Sequence, residues 1–592
     1  MEPMDKALMS LRCEQVQDPL RGASPAPDPG SPGCRQALGC ARNGSGRAPV
    51  RNMAEGSGTG ASAHIRHQPR KGSRKGRRKH GFRAGQKKKA AHALQREACS
   101  VPAHPRPGVC SSTYIVKSPE SSKFEAMLEV NRRCNSIEEL RHDPELLDSP
   151  VGRVFPGVNH SLRAVRPDLP PTSADIVIIG GGIIGSGIAC HLWHVPSLRR
   201  RMILLEKHSF LAGQFFQAMN ATGQRVMRSP YEHHIAPDGD MQMLDFARLH
   251  LDQLTSLERE QVWLGLSGQR AVVPLDVFIG HSTHMIGVHQ LRKIAYRARV
   301  ISVRPDPGRD GYLIATAEGP VIRAKTVILA AGNREAVWPQ VFSEAARRYP
   351  AQVCSVYAKP ALNPGQTIAV VGSGLSAAHT ILRALEAGAR PVWILRREER
   401  YRCADFDTAY FRTEGIARFR RLPSLARKVG TLLEESRGSI MLEFLPRLGS
   451  LEEAGVLRVH RHATVLAVRA SASGRLELNL SSGADEHVDL VILATGLSPD
   501  TQLLPDEVEL LADRYPVLED GTLEVSGHPG LFAAGPLASL TLGPAAKNVD
   551  GARLAAQVII PALIEKFSGS RPASFTVRGN FAVSFPLKAG VR

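Results

Sequence analysis

The stretch "AVVGSGLSAAHTILRALEAGARPVWILRR", residues 369–397, decides the fold of this 592-residue chain. An apolar run leads into Gly372, Gly374 and Ala377, spaced as Gly-x-Gly-x-x-Ala, and a helical stretch and a second apolar run follow. The first glycine permits a tight turn, the second lets a pyrophosphate approach the backbone, and the small third residue lets helix and strand pack closely. Unpaired N–H groups at the start of the helix, around Ser376, would face the phosphates. The pattern therefore predicts a unit that binds a dinucleotide.

A second unit of the same kind occurs earlier, as "DIVIIGGGIIGSGIACHLWHVPSLRRRMILLEK" at residues 175–207. Its glycines follow an apolar run at the spacing Gly-x-Gly-x-x-Gly: Gly180, Gly182 and Gly185. Strand, glycine turn, helix, strand and a terminal acid in this order predict a bound dinucleotide. The alternative is a fold of the same shape that is retained only for packing.

The two units differ where their second strands end. The first ends in Glu206 and Lys207, and a carboxylate at this place accepts hydrogen bonds from an adenosine ribose but repels a 2′-phosphate. The second ends in Arg396 and Arg397, which can bind a 2′-phosphate through charge-assisted hydrogen bonds. The sequence thus predicts FAD in the first unit and NADPH in the second. The alternative for the arginines is a solvated start of the next segment.

Alternating strand-like and helical runs predict an α/β fold with two Rossmann-like dinucleotide-binding domains, an NADP domain being inserted into the FAD domain. A long, disordered and basic N-terminal tail precedes them, because its Gly-, Pro-, Ser- and Arg-rich composition shows no apolar periodicity. The predicted segments are a tail (1–125), a linker with a short helix at 134–148 (126–172), the first part of the FAD domain (173–365), the NADP domain (366–500) and the returning FAD segment (501–592).

Most of the net charge of +20 lies in the tail, where 23 Lys and Arg stand against 9 Asp and Glu. Residues 70–89 alone hold 11 Lys or Arg, which indicates either nucleic-acid or import-factor contact or a solvated tail. No C-x-x-C pair, signal peptide or uninterrupted membrane span is visible. We therefore expect no metal site and no membrane insertion. The expected location is the cytoplasm, with the nucleus as the alternative suggested by the basic run.

Between about 172 and 560 the chain resembles flavoproteins with two dinucleotide-binding domains, and within them the flavin-containing monooxygenases and the lysine and ornithine N-hydroxylases. The resemblance rests on the two glycine motifs, on Glu206 and on three further segments. These are "VILAAG" (327–332), which ends in Gly332, "VILATGLSPD" (491–500), which contains Gly496, and "GLFAAGPLASLTLGPAAKNVDGARLAAQVI" (530–559), which contains Gly535 and Asn548. It implies that the first two segments cross between the domains. The third would pass the flavin, and a helix beginning near 545–548 would place positive charge beside the ring.

Other candidates are weaker. Arg228 and Ser229 follow Glu206 where the resemblance implies that the chain passes the flavin ring, so they are candidates for ring or pyrophosphate contacts. The segment "ADFDTAYFRTEGIARF" (404–419) either lines a substrate cleft or caps the domain, and 241–264 has the spacing of a packing helix. His281, His284 and His289 are interpreted as surface residues near the start of a helix, because no partner completes a zinc-like set.

The resemblance implies an FAD-dependent, NADPH-using oxidoreductase whose hard chemistry is carried by its cofactors. Its most direct form is a monooxygenase that hydroxylates an amine or another soft nucleophile, a small molecule, with O2 through a flavin C4a-peroxide. No catalytic side chain is assigned. The alternatives are an NADPH oxidase or reductase without oxygenation and a non-enzymatic flavoprotein acting through partners. Pro536, which stands where the family has an acid that contacts the ribityl chain, favours the last of these.

Overall fold

The computed structural model describes residues 114–115, 143–237, 239–317, 319–335 and 338–570. The predicted disordered tail apart from residues 114–115, its basic run and most of the predicted helix at 134–148 lie outside these residues. Within the described part of the linker, Pro144–Asp148 forms a 3₁₀ helix that starts from the side chain of Asp143.

The first sheet contains the earlier glycine motif, and seven strands form it. In spatial order they are Ala295–Arg297, Met202–Glu206, Ser173–Ile179, Ile322–Leu329, Tyr312–Thr316 and Val300–Pro305, with Leu531–Ala533 beside Ile322–Leu329. Five of the strands run parallel, whereas Tyr312–Thr316 and Val300–Pro305 add an antiparallel edge. The return of the chain from 531 into this sheet agrees with an inserted second domain.

The second sheet contains the later glycine motif and is fully parallel. Its strands are, in spatial order, Val353–Ser355, Leu490–Leu493, Thr367–Val371, Arg390–Ile394 and Arg458–His460. The first of them precedes the predicted domain boundary at 366. A separate antiparallel sheet of Val465–Ala470, Leu476–Leu480 and Asp485–Val488 packs against this domain through an apolar cluster.

Short strand pairs connect the parts. Asn333–Glu335 and Leu497–Pro499 are the two segments that follow Gly332 and Gly496, and they pair antiparallel. The two connections between the sheets therefore run side by side, as expected for crossing segments. The remaining pairs are Val226–Met227 with Val273–Pro274, Leu510–Leu511 with Tyr515–Pro516, and Tyr114–Ile115 with Arg400–Tyr401.

Helices connect the strands of both sheets and pack against them. The α-helices are Ile183–Trp193, Pro196–Arg199, Gly213–Thr222, Gln242–Leu249, Ser256–Leu266, Leu275–Val288, Gln340–Arg348, Leu375–Glu386, Thr413–Arg420, Leu425–Glu435, Phe444–Glu453, Ser539–Leu542 and Gly551–Ser568. Further 3₁₀ turns are His160–Arg163, Leu251–Gln253, Leu291–Lys293, Val356–Ala358, Thr408–Phe411, Gly535–Ala538 and Pro544–Lys547. No helix in the described ranges is long and apolar enough to cross a membrane.

Two helix predictions are wrong in detail. The packing helix expected at 241–264 is broken into Gln242–Leu249, Leu251–Gln253 and Ser256–Leu266, because Thr255 caps a new helix by a reciprocal pair of hydrogen bonds with Glu258. The helix expected to begin near His289 instead ends at Val288. Both errors arise because apolar spacing shows that a region is helical but not where a cap interrupts it.

The strand Tyr114–Ile115 lies inside the segment predicted to be a disordered tail, residues 1–125. Its backbone pairs with Arg400–Tyr401, so a cut at 125 removes hydrogen bonds that a cut at 110 retains. We expect deletion of residues 1–110 to leave the thermal unfolding midpoint and the FAD content unchanged, and deletion of 1–125 to lower the midpoint by a few degrees. Scanning calorimetry of the two truncations checks this, and a large loss in the shorter deletion would contradict it.

Candidate functional site

The first glycine turn has the shape that a pyrophosphate requires. Gly180 has φ +102°, and a Cβ there would collide with the carbonyl of Ala330 at the end of the neighbouring strand. Gly185 passes so close to the carbonyl of Gly180 that no side chain fits. At Gly182, by contrast, no atom lies within 4 Å of the position a Cβ would take. The turn is therefore closed by packing at its first and third glycines and open at the second, which fits a dinucleotide.

Glu206 ends the second strand with its carboxylate buried beside this turn. One carboxylate oxygen accepts the Gly181 N–H at 2.7 Å, and the other accepts the His208 N–H at 2.8 Å. These bonds fix the direction of the carboxylate, and each oxygen retains a lone pair for a ribose hydroxyl. Lys207, the next residue, is exposed.

The second glycine turn repeats the same packing. Gly372 has φ +141°, and a Cβ there would collide with the carbonyl of Ala494, while the indole N–H of Trp393 donates to the Gly372 carbonyl at 2.7 Å. Ala377 is fully buried, as the close contact of helix and strand requires. The alanines that meet the two turns, Ala330 and Ala494, belong to the two crossing segments. This contact explains why small residues precede Gly332 and Gly496.

Arg396 and Arg397 follow the strand Arg390–Ile394 and are both exposed. Within the described chain neither makes an ion pair, so both guanidinium groups are available to a phosphate. Ser376 lies in the first turn of the helix Leu375–Glu386 and is half-buried. The second unit thus also fits its dinucleotide, and the two units keep opposite charges where their second strands end.

Five hydrogen-bonded side chains, here called the hub, connect the two units: Arg228, Ser229, Asp405, Ser439 and Asn548. Arg228 donates from Nη1 to Asp405 Oδ1 at 2.7 Å and to Ser439 Oγ at 3.1 Å. Asn548 donates from Nδ2 to Asp405 Oδ2 at 3.1 Å and accepts from Ser229 Oγ at 3.4 Å. Arg228, Ser229 and Asn548 were predicted site residues, and the structure brings them together.

Arg228 in this hub is only 8% exposed, yet its Nε and Nη2 are buried with no partner among the described residues. A buried guanidinium with free donors is costly unless a ligand or water accepts from it. The hub therefore has the chemistry to hold an anionic or carbonyl oxygen between the two cofactor units. Whether that oxygen belongs to the flavin stays a prediction.

The pKa values of Asp405 and Lys547, beside the hub, are both lowered, but for different reasons. Burial alone would raise the pKa of Asp405, but Arg228 and Lys547 outweigh it and hold that pKa below its usual value. Burial lowers the pKa of Lys547, although Asp405 and Glu435 oppose the shift. The Asp405 side chain is still 42% exposed by surface area, so we regard it as an ionised carboxylate at the edge of a cleft.

The helix beside the expected flavin position begins later than predicted. Pro544–Lys547 is a 3₁₀ turn, and the α-helix starts at Gly551. Asp550 sits immediately before it, buried, and binds Arg553 through two 2.7 Å hydrogen bonds. Because a carboxylate at this end offsets the helix dipole, the positive charge here comes from Lys547 rather than from the helix.

The returning segment places Gly535, a predicted cofactor-binding residue, beside the first helix of the FAD unit. Gly535 has φ +64°, and the side chain of Ile184 lies 3.3 Å from where its Cβ would be. Pro536 next to it is buried and has neither an N–H nor an acceptor side chain. The position therefore supplies no side-chain contact to a ribityl chain.

The sequence did not assign Asp405, Ser439 or Lys547 to the site. Asp405 lies in the acidic and aromatic segment 404–419, whose composition was a usable signal. In that segment Phe406 and Phe411 are buried in the core, so it caps the domain while Asp405 alone reaches the cleft. Ser439 and Lys547 carried no signal, because nothing local indicates that they meet the hub.

The histidine interpretation is partly wrong. His281 and His289 are buried, at 1% and 2% exposure, and only His284 is exposed. His289 Nε2 lies 2.8 Å from His194 Nε2, and its Nδ1 contacts the Met285 carbonyl. In the described residues no three His, Cys, Asp or Glu are grouped to hold a metal, and Cys190, Cys354 and Cys403 form no disulfide bond.

Two family matches and a shared fold agree with this geometry. Residues 287–499 match the L-lysine 6-monooxygenase/L-ornithine 5-monooxygenase family, and residues 448–556 match the pyridine nucleotide-disulphide oxidoreductase family. FAD-bound DfoA, the desferrioxamine-pathway cadaverine monooxygenase of Erwinia amylovora, has a TM-score of 0.53 and 16% identity over 71% of this chain and 100% of that chain. Ornithine hydroxylase (PvdA) from Pseudomonas aeruginosa has a TM-score of 0.53 and 19% identity over 66% and 99%.

No curated protein matches the chain by sequence. The fold is shared with these two enzymes, which confirms the predicted fold class of the part of the chain that the structure describes. The family matches confirm the predicted resemblance to lysine and ornithine monooxygenases. The two family matches agree with the predicted class, an FAD- and NADPH-dependent oxidoreductase of monooxygenase type.

Proposed function

We propose that the protein uses NADPH, FAD and O2 to hydroxylate the nitrogen of a small amine or another soft nucleophile. The observation that carries the proposal is the pair of glycine turns with opposite charges beyond them, Glu206 after one and Arg396 with Arg397 after the other. A reaction that passes a hydride from one dinucleotide to another needs two such sites, distinct in what they accept at the ribose.

Each unit contributes binding and orientation. Gly182 and the helix Ile183–Trp193 would hold the FAD pyrophosphate, and Glu206 would orient the ribose. Gly374, the helix Leu375–Glu386 and the arginine pair would hold NADPH. When bound, the flavin accepts the hydride and supplies the activated oxygen, so the chain itself needs no nucleophile.

The hub supports an amine as the substrate class. Asp405 is ionised, partly exposed and fixed by Arg228 and Asn548 between the two units. Asp405 is already paired with Arg228, and with Lys547 nearby the cations outnumber the carboxylate; this lowers the pKa of a bound amine and favours the neutral, nucleophilic form that hydroxylation requires. The named substrates of the structural neighbours, ornithine and cadaverine, are amines of the same kind.

The test is a turnover assay on the purified full-length chain. A visible flavin spectrum is recorded, NADPH is added in air with and without a panel of small amines, and NADPH loss, hydrogen peroxide and hydroxylamine are measured together. The expected result is that one amine class raises NADPH consumption and converts it into hydroxylated product. Peroxide equal to the NADPH consumed with every amine would indicate an oxidase, and failure to bind FAD would contradict the proposal altogether.

A cytoplasmic location is part of the same proposal, because the cofactors and substrate class are those of soluble metabolism. The alternative is that the basic run 70–89 contacts nucleic acid or an import factor. Comparing the location of the full-length chain with that of a chain lacking the tail distinguishes the two, because a nuclear location that depends on the tail would support the alternative.

A further inference from the structure

The two glycine turns differ in what lies over them. The pyrophosphate approaches such a turn from the side to which a Cβ of the second glycine would point. At Gly182 that side is open, with nothing within 4 Å. At Gly374 it is occupied, because the Cα of Gly438 lies 3.6 Å from where the Cβ would be. The backbone near Gly438 thus stands where the NADP pyrophosphate would have to lie.

The contact at Gly438 is tight enough to need a glycine there. A Cβ built on Gly438 would lie 3.0 Å from both the Cα and the N of Gly374. That N belongs to the cap residue of the helix Leu375–Glu386, whose amides are the phosphate donors of the unit. Gly438 itself is exposed and has no left-handed φ, so neither burial nor backbone conformation explains a glycine at this position. The close approach of Gly438 to the turn at Gly374 explains why a glycine is needed.

Two side-chain hydrogen bonds connect residues 436–439 to Lys547 and Arg228 of the FAD unit. Ser436 Oγ accepts from Lys547 Nζ at 3.0 Å, and Ser439 Oγ accepts from Arg228 Nη1 at 3.1 Å. Between them, Arg437 binds Glu434 in the last turn of the preceding helix. The stretch therefore bridges from the NADP turn to the flavin-side hub, held by these polar contacts and followed directly by the buried Ile440.

We propose that residues 436–439 form a lid on the NADP pyrophosphate site, closed in this structure and displaced when the dinucleotide binds. The inference rests on the proposed use of NADPH by the second unit. Opening breaks the Ser436–Lys547 and Ser439–Arg228 hydrogen bonds, so the energy of nucleotide binding is partly spent on freeing two cationic groups of the hub. Binding of NADPH to the second unit would thereby free the cationic groups of Lys547 and Arg228 beside the expected flavin site.

If residues 436–439 form a lid, substitutions that hinder its closure should tighten nucleotide binding. Gly438→Ala places a methyl group against Gly374 and prevents closure, and Ser439→Ala removes one anchor. We expect each variant to bind NADP⁺ more tightly, by about tenfold or more, because the closed lid, which is held by hydrogen bonds to charged groups, is weakened in both. Gly430→Ala is the matched control, since no atom lies within 4 Å of its Cβ position.

Binding is measured by isothermal titration of the FAD-loaded full chain with NADP⁺ and with adenosine 2′-monophosphate, which reaches the arginine pair but not the pyrophosphate site. The expected result is tighter NADP⁺ with unchanged 2′-monophosphate binding in both variants and no change in Gly430→Ala. Thermal unfolding and FAD content verify that the variants are folded.

Weaker NADP⁺ binding in folded Gly438→Ala would overturn the proposal, because Gly438 would then belong to the floor of the site and not to its lid. Equal NADP⁺ affinity in all four proteins would overturn it as well. If the parent binds FAD but neither NADP⁺ nor adenosine 2′-monophosphate, the NADPH assignment fails and the lid fails with it. Loss of NADP⁺ binding alone, with the 2′-monophosphate retained, in the parent but not in Gly438→Ala would be the strongest support.

Discussion

Replacing Arg396 and Arg397 together with alanine is expected to abolish the preference for NADPH over NADH. The 2′-phosphate of NADPH carries close to two negative charges, and the two guanidinium groups are exposed and unpaired at the end of the second strand of the NADP unit. Each charge-assisted hydrogen bond contributes about 1.5–3 kcal/mol, so the pair accounts for a preference of about 10²-fold or more. NADH lacks this phosphate, and its binding should hardly change.

Stopped-flow reduction of the bound flavin by the two nucleotides measures this effect. The matched control carries Arg347→Ala and Arg348→Ala together. These two exposed arginines lie at the end of the helix Gln340–Arg348, so the control removes the same charge at a different place. Equal rates with NADPH and NADH in the parent, or loss of both nucleotides in the double variant, would show that the arginines are structural.

The strands around both motifs could be predicted from sequence to within a few residues. The apolar runs before and after the two glycine motifs form the strands Ser173–Ile179, Met202–Glu206, Thr367–Val371 and Arg390–Ile394. Apolar runs that end at a glycine turn are unambiguous because both the strand period and the turn chemistry indicate the same boundary. Charge at the strand ends then distinguished the two units.

The hub and the lid could not be predicted in this way. Arg228 and Asp405 are separated by 177 positions in the chain, and Arg228 and Ser439 by 211. Nothing in the local sequence of Ser439 or Gly438 indicates what they touch, since their roles depend on the packing of the two domains. The same reason explains the misplaced helix start at 545–548, where Asp550 and Arg553 form a buried pair that composition alone does not reveal.

The first glycine turn permits a test in which folding and FAD binding separate. Gly182→Val should leave the FAD-free protein as stable as the parent, because φ at Gly182 is −65° and no protein atom lies within 4 Å of its Cβ position. The new side chain would instead occupy the space of the pyrophosphate. Loss of two amide–phosphate hydrogen bonds at about 1.5–3 kcal/mol each weakens FAD binding about 10²-fold or more.

Gly185→Ala provides the contrast, since its methyl group would collide with the carbonyl of Gly180. Overpacking of this kind costs about 3 kcal/mol, so the variant should unfold at lower temperature even without FAD. Unfolding has to be compared in FAD-free protein, because bound ligand itself stabilises the native state and would hide the difference. Calorimetry of the stripped proteins and titration with FAD provide both quantities. If Gly182→Val retained FAD with parental affinity, the open side of this turn would not be a phosphate site, and the assignment of FAD to the first unit would fail.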